Sequence, residues 1–138
     1  MPLSDASLPL QKAIVAALKA DLFVATLVGT RIYDAVPMNA TKPYVSFGPF
    51  QLLAEEGDCI EGGEIIVQLD AWAVGPDTVE VKRLGSAVAM ALDNAPLALD
   101  ENQRLVMLEI QNIQYLREPD GLTAHGVLTV RALTEPTA

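Results

Sequence analysis

Chemistry in this chain would have to begin at His125, the only histidine among 138 residues and the only side chain type whose ordinary pKa lies near neutrality. Its neighbours complete no site. Thr123, Thr129 and Arg131 supply neither a nucleophile with a base nor an orienting acid, and Ser46 and Ser86 sit in no elbow motif. His125 therefore reads as a structural or interface histidine bonded near the adjacent turn, and no catalytic residue is expected. The second candidate is the run Glu55-Glu56-Gly57-Asp58-Cys59-Ile60-Glu61-Gly62-Gly63-Glu64, read as an acidic, glycine-rich loop. Hard cations want several carboxylate oxygens on a flexible loop. A calcium loop of the EF type, however, spaces its acids at alternating positions around a glycine, and Glu55, Glu56, Asp58, Glu61 and Glu64 keep no such order. The expectation is no metal, and instead a solvated loop, an assembly contact or a repulsive lining. Gly57, Gly62 and Gly63 open no helix, so they cradle no phosphate. No cofactor is expected.

Composition narrows the partners. A net charge of −9 with nine Lys and Arg spread along the chain argues against binding that rests on neutralising phosphates. A surface of this sign can instead line a passage through which DNA slides without sticking. Cys59 is alone, which excludes an intramolecular disulfide and a cysteine zinc cluster. Met1-Pro2-Leu3-Ser4-Asp5 lacks the basic start and apolar run of a signal peptide, and no stretch approaches the roughly 20 apolar residues of a membrane span. A soluble protein of one domain, residues 1–138, is expected, large enough to hide roughly two thirds of its unfolded surface. Few aromatics mean an aliphatic core.

The elements that must position these residues follow from periodicity. Leu10, Ile14, Ala17 and Leu18 mark one face of a helix from Ser7 to Ala20, with Ser7 as its cap. Asp21 caps a second piece from Leu22 to Val28, which Gly29 ends by turning left-handed. After an extended piece over Arg31–Val36, two prolines make residues 37–43 a loop. Tyr44–Gly48 and Phe50–Ala54 form a strand bent at Gly48-Pro49, hence an edge or bulged position. Ile65–Val74 is a firmer strand whose Ile65, Val67, Leu69, Ala71 and Ala73 alternate with polar residues. Val81, Leu84, Val88, Ala91 and Leu92 stripe a helix that begins after Asp77 and ends near Asn94, with Gly85 placed for close approach to a sheet. In Leu105–Leu116 the apolar phase changes, which a bulge near Gln111-Asn112 would reconcile. Pro119-Asp120-Gly121 then turns the chain. In the last strand Leu122, Ala124, Gly126, Leu128, Val130 and Ala132 share one face.

The predicted architecture is α+β, in the order α-β-β-α-β-β: a four-stranded, mainly antiparallel sheet of two hairpins with two main helices on one face. Such a sheet needs a single apolar face, yet Trp72, Tyr115, Val127 and Leu133 are read onto the other one. For Trp72, a second core layer and a subunit interface are equally open. Trp72, Tyr115, Val127, Leu133 and His125 are the candidate interface residues.

The chain resembles the small tail-completion or tail-terminator proteins of long-tailed bacteriophages and of phage-like gene transfer agents. The residues that carry the likeness are Leu10-Gln11-Lys12-Ala13-Ile14 with Ala16-Ala17-Leu18-Lys19-Ala20, Arg31-Ile32-Tyr33-Asp34-Ala35-Val36-Pro37, Pro43-Tyr44-Val45-Ser46-Phe47-Gly48 and Asp93-Asn94-Ala95-Pro96-Leu97. The most specific is Asp120-Gly121-Leu122-Thr123-Ala124-His125-Gly126-Val127-Leu128. The resemblance implies a non-enzymatic homo-oligomer, commonly a hexameric ring, in the tail of a phage-like particle made in the bacterial cytoplasm. Its implied partners are the tail tube protein and the head-completion or connector protein, with DNA passing through unbound and no membrane. Glu55, Glu56, Asp58, Glu61 and Glu64 are then candidates for the lumen or axial rim. A monomeric head–tail adaptor is the alternative reading, followed by a small ligand-binding α+β domain.

Overall fold

The structure, a computed structural model, describes residues 4–54 and 62–137. Three helices, α1 (Ser7–Ala20), α2 (Leu22–Val28) and α3 (Val79–Leu92), cover one face of a sheet. Its strands are β1 (Ile32–Tyr33), β2 (Tyr44–Ala54), β3 (Gly63–Val74), β4 (Gln103–Arg117) and β5 (Thr123–Pro136), ordered β1-β2-β3-β5-β4. The fold is mixed α+β with five strands rather than four: the added strand is two residues long and pairs parallel to β2 through Ile32↔Val45 and Tyr33↔Ser46. The predicted hairpins β2–β3 and β4–β5 are both antiparallel and meet through β3 and β5.

Alternation decides which side chains are buried. Ile65, Val67, Leu69, Ala71 and Ala73 of β3, with Leu128, Val130 and Ala132 of β5, face the helices and are fully buried against Leu10, Ile14 and Leu18 of α1 and Val81, Leu84 and Val88 of α3. Helix ends follow local chemistry. Asp21 accepts a bond from Val24 N–H at 3.0 Å and so caps α2, and Gly29 ends it at φ 60°. Ser7 is not the cap of α1; the carboxylate of Asp5 accepts from Ser7 N–H at 2.9 Å instead.

Both expected irregularities occur. β2 slips register between Phe47 and Phe50, at Gly48-Pro49. β4 slips between Ile110 and Asn112, and again between Leu105 and Met107. The second helix–strand connection holds the first of these β4 bulges in place, since Asp93 accepts from Ile110 N–H at 3.0 Å and Asn94 N–H donates to Leu108 O at 2.9 Å. At the β4–β5 turn Gly121 has φ 70°, and Asp120 Oδ1 accepts from the N–H groups of Leu122 and Thr123 at 2.8 and 3.0 Å.

The β4 bulge corrects one expected site residue. Beyond the extra residue Gln111, the alternation reverses, so Ile113 and Tyr115 return to the face of Leu108 and Ile110. Tyr115 therefore lies under α3, beside Gly126 and Gly85, and not on the uncovered face. Glu64 is also corrected: it is the second residue of β3, paired with Leu53 and Leu133, and not part of a loop. Glu55, Glu56, Asp58 and Glu61, like Cys59, lie outside the described residues.

Candidate functional site

Sheet register brings Trp72 of β3 opposite His125 of β5 and Tyr44 of β2, so three flat rings stand in line on the face that carries no helix. Trp72 and His125 stack at 3.7 Å between centroids and 9° between planes, and Tyr44 stacks on Trp72 at 6.3 Å. Tyr33 of β1 extends the row, meeting Tyr44 edge-on at 5.7 Å. The indole N–H donates to Ser46 Oγ at 3.0 Å. Burial raises the Tyr44 phenol above its ordinary pKa, with Tyr33 adding to the effect.

Two carboxylates lock this row in place. His125 Nδ1 lies 2.9 Å from Glu118 Oε1 in the turn, and Nε2 lies 2.7 Å from Asp70 Oδ1. Each ring nitrogen faces a carboxylate oxygen within hydrogen-bond distance. Asp70, only 6% exposed, also accepts from Gln68 Nε2 at 2.9 Å. This arrangement cannot run a serine relay. A general base needs a free ring nitrogen beside a nucleophile, whereas both nitrogens here are occupied and the Ser46 oxygen holds an indole N–H. Among the described residues no three acidic, histidine or cysteine side chains converge as a metal-ligand set. The cluster is a clamp that ties β2, β3, β5 and the β4–β5 turn together.

Farther along the same face Arg131 bridges Glu64 of β3 and, at 3.2 Å, Glu109 of β4; the Glu64 and then the Glu109 hydrogen bonds raise its pKa. Val127 and Leu133 of β5, on this face with Ile66, are half-buried between the polar groups. At the turn end, Lys42, Tyr44, Trp72, Glu118, Asp120 and Thr123 line a shallow hollow of about 330 Å³. Asp120 is held below the ordinary aspartate pKa, first by the Leu122 N–H and then by the Thr123 hydroxyl. Of the expected interface residues, the structure thus brings together Trp72 and His125, leaves Val127 and Leu133 on the same face, and separates Tyr115 from all four.

A larger apolar surface lies on the outer side of the helices. Between α2 and α3 runs a groove of about 790 Å³ lined by Phe23, Val79, Ala87 and Met90, with Lys82 and Arg83 on α3 beside them. Phe23 is 75% exposed, Val79 58% and Met90 78%. Sequence reading missed it, although a signal existed: Val79, Ala87 and Met90 recur at helical spacing on the side of α3 away from its buried stripe.

Known proteins share this fold. A family model described as tail completion protein gp17 matches residues 12–135. No curated protein matches the sequence. The fold is similar to a solved chain from the virion of a native gene transfer agent particle, with a TM-score of 0.82 and 31% identity over 91% of this chain and 94% of that one. A match that takes in both hairpins, the β4–β5 turn and α3 leaves no element of the sheet unaccounted for, and the chain belongs to the tail completion protein gp17 family.

Proposed function

We propose that this protein terminates the tail of a phage-like particle: copies close into a ring at the head-proximal end of the tail tube, stop its polymerisation, and join tail to head. It acts through shape, without catalysis or a cofactor. The observation that carries this reading is the likeness to a virion chain over 91% of this chain and 94% of that one, beside the family match over residues 12–135. Physical support comes from the surface. A ring needs heterologous contacts, in which one patch meets a different patch on the next copy, and the clamp face of the sheet and the α2–α3 groove are two unlike patches on one small domain. On the sheet face, Trp72, His125, Val127 and Leu133 are the proposed contact residues.

Glu55, Glu56, Asp58 and Glu61 belong in this proposal to the lumen or axial rim, where like charge lets DNA pass; Glu64, paired with Arg131 on the sheet face, does not. Reversing Glu55, Glu56 and Asp58 to lysine should slow DNA transit or disturb assembly; normal particles with normal DNA delivery would remove these residues from the lumen. Electron microscopy of particles lacking the protein tests the whole reading. Overlong tubes, or tails detached from heads, are expected, and tails of normal length joined to heads would overturn it.

A further inference from the structure

Among the described large hydrophobic residues Met38 is the most exposed, at 99%, and its loop is built to present it. Ala40 N–H donates to Pro37 O at 3.1 Å, closing a tight turn with Met38 at its first corner. Arg31 Nε donates to Pro43 O at 2.9 Å and fixes the strand at which the loop returns. Exposed Val36 lies on the approach, so the turn carries an apolar knob, and exposed Asp34 stands just before it.

The α2–α3 groove is its complement in three respects. It is concave where the turn projects. Its lining is apolar, with Phe23 and Met90 left open to solvent, and a methionine side chain adapts to an irregular apolar hollow. Its cations, Lys82 and Arg83, make no ion pair among the described residues, whereas the Asp21 carboxylate at the groove is engaged in capping α2. In a chain of net charge −9, two adjacent unpaired cations select an acidic visitor. The knob follows β1 at the sheet edge and the groove lies on the helix layer, so the two are different patches, as a closed ring requires.

From this we infer that the loop over residues 34–41 of one copy seats Met38 in the α2–α3 groove of the next copy, with Asp34 against Lys82 and Arg83. The inference rests on the ring reading above and adds its contact. The test applies a short bismaleimide to particles carrying C59S with M38C and M90C. A ladder of covalent multimers of this chain is expected from the double-cysteine protein and none from C59S/M38C or C59S/M90C alone. If several copies are present at the tail end but the ladder is absent, or Cys-substituted position 90 captures a different tail protein, the groove has another occupant and only this inference falls. If the particle holds a single copy of the chain, counted from electron-microscopy symmetry, the ring reading falls with it.

Discussion

The two sides of the molecule solve the problem of uncovered surface differently. On the sheet side, apolar rings are stacked on one another and enclosed by charge: Trp72 lies between Tyr44 and His125, His125 lies between Asp70 and Glu118, and Arg131 spans Glu64 and Glu109. That face satisfies most of its own polar groups, and Trp72, Val127 and Leu133 at its centre are half-buried, with exposed Leu53, Val74 and Leu116 toward its ends and edge. On the helix side, Phe23, Val79 and Met90 stand in water around a groove with no such enclosure. The sheet face is therefore held together mainly from within the subunit, and the groove is the surface that gains most from being covered.

If that contrast holds, substitutions on the sheet side and inside the helix layer should cost stability, and substitutions in the groove should cost assembly. The largest loss is expected at Gly85, on the inner side of α3. A Cβ there would come within 2.8 Å of Tyr115 Cε1, and Tyr115 is itself confined by Gly126, where a Cβ would stand 3.1 Å from the same atom. Gly85→Val should cost about 3 kcal/mol, because the added side chain overlaps the Tyr115 ring and drives it from its place between Gly85 and Gly126. At about 4 °C per kcal/mol, the unfolding midpoint falls by roughly 10 °C. A midpoint within a degree or two of the parent would mean that Tyr115 does not pack under α3.

Tyr115 also marks where sequence reading stopped. The phase change in β4 was legible, and so was the bulge near Gln111. Carrying the reversed alternation through to residue 115 would have placed the tyrosine beneath α3, where Gly85 and Gly126 leave room for its ring. Strands β2 to β5, all three helices and both hairpins followed from period and turn chemistry. β1 followed only as an extended piece over Arg31–Val36, because two paired residues carry no periodicity and their pairing with Val45 and Ser46 is a tertiary contact. The clamp was half-visible: alternation already put Asp70 and Trp72 on one face. The distance that mattered was between β3 and β5, since His125 meets Asp70 across 55 residues of chain and no local pattern encodes that register. The groove needed α2 and α3 to be neighbours, which is a tertiary fact.

Trp72→Ala is the intermediate case and tests the clamp. It removes the ring that separates Tyr44 from His125 and leaves the Ser46 hydroxyl without its indole donor. A fully buried tryptophan costs about 3–5 kcal/mol on truncation. The half-burial of Trp72 reduces this to about 2 kcal/mol, read as a lower midpoint in chemical denaturation. A fall well below this figure, joined to a loss of particle assembly, would make the ring contact proposed for Trp72 its main role and weaken the contrast between the two faces.

The smallest change in stability is expected in the groove. Val79→Gln and Met90→Gln replace exposed apolar side chains with a residue that suits a helix at least as well, and neither position touches the buried stripe of Val81, Leu84, Val88 and Leu92. Surface substitutions of this kind shift stability by about 0.5 kcal/mol or less, so the purified variants should unfold with the parent. Their effect should appear in the particle, as tails that fail to terminate or to hold a head, because a polar side chain in a covered groove leaves its amide without a partner. The combination matters more than either measurement. Unchanged stability with lost assembly identifies the groove as a surface whose apolar exposure exists for a partner. Unchanged stability with normal particles would return it to ordinary surface, and the uncovered sheet would then have to supply both halves of the ring contact.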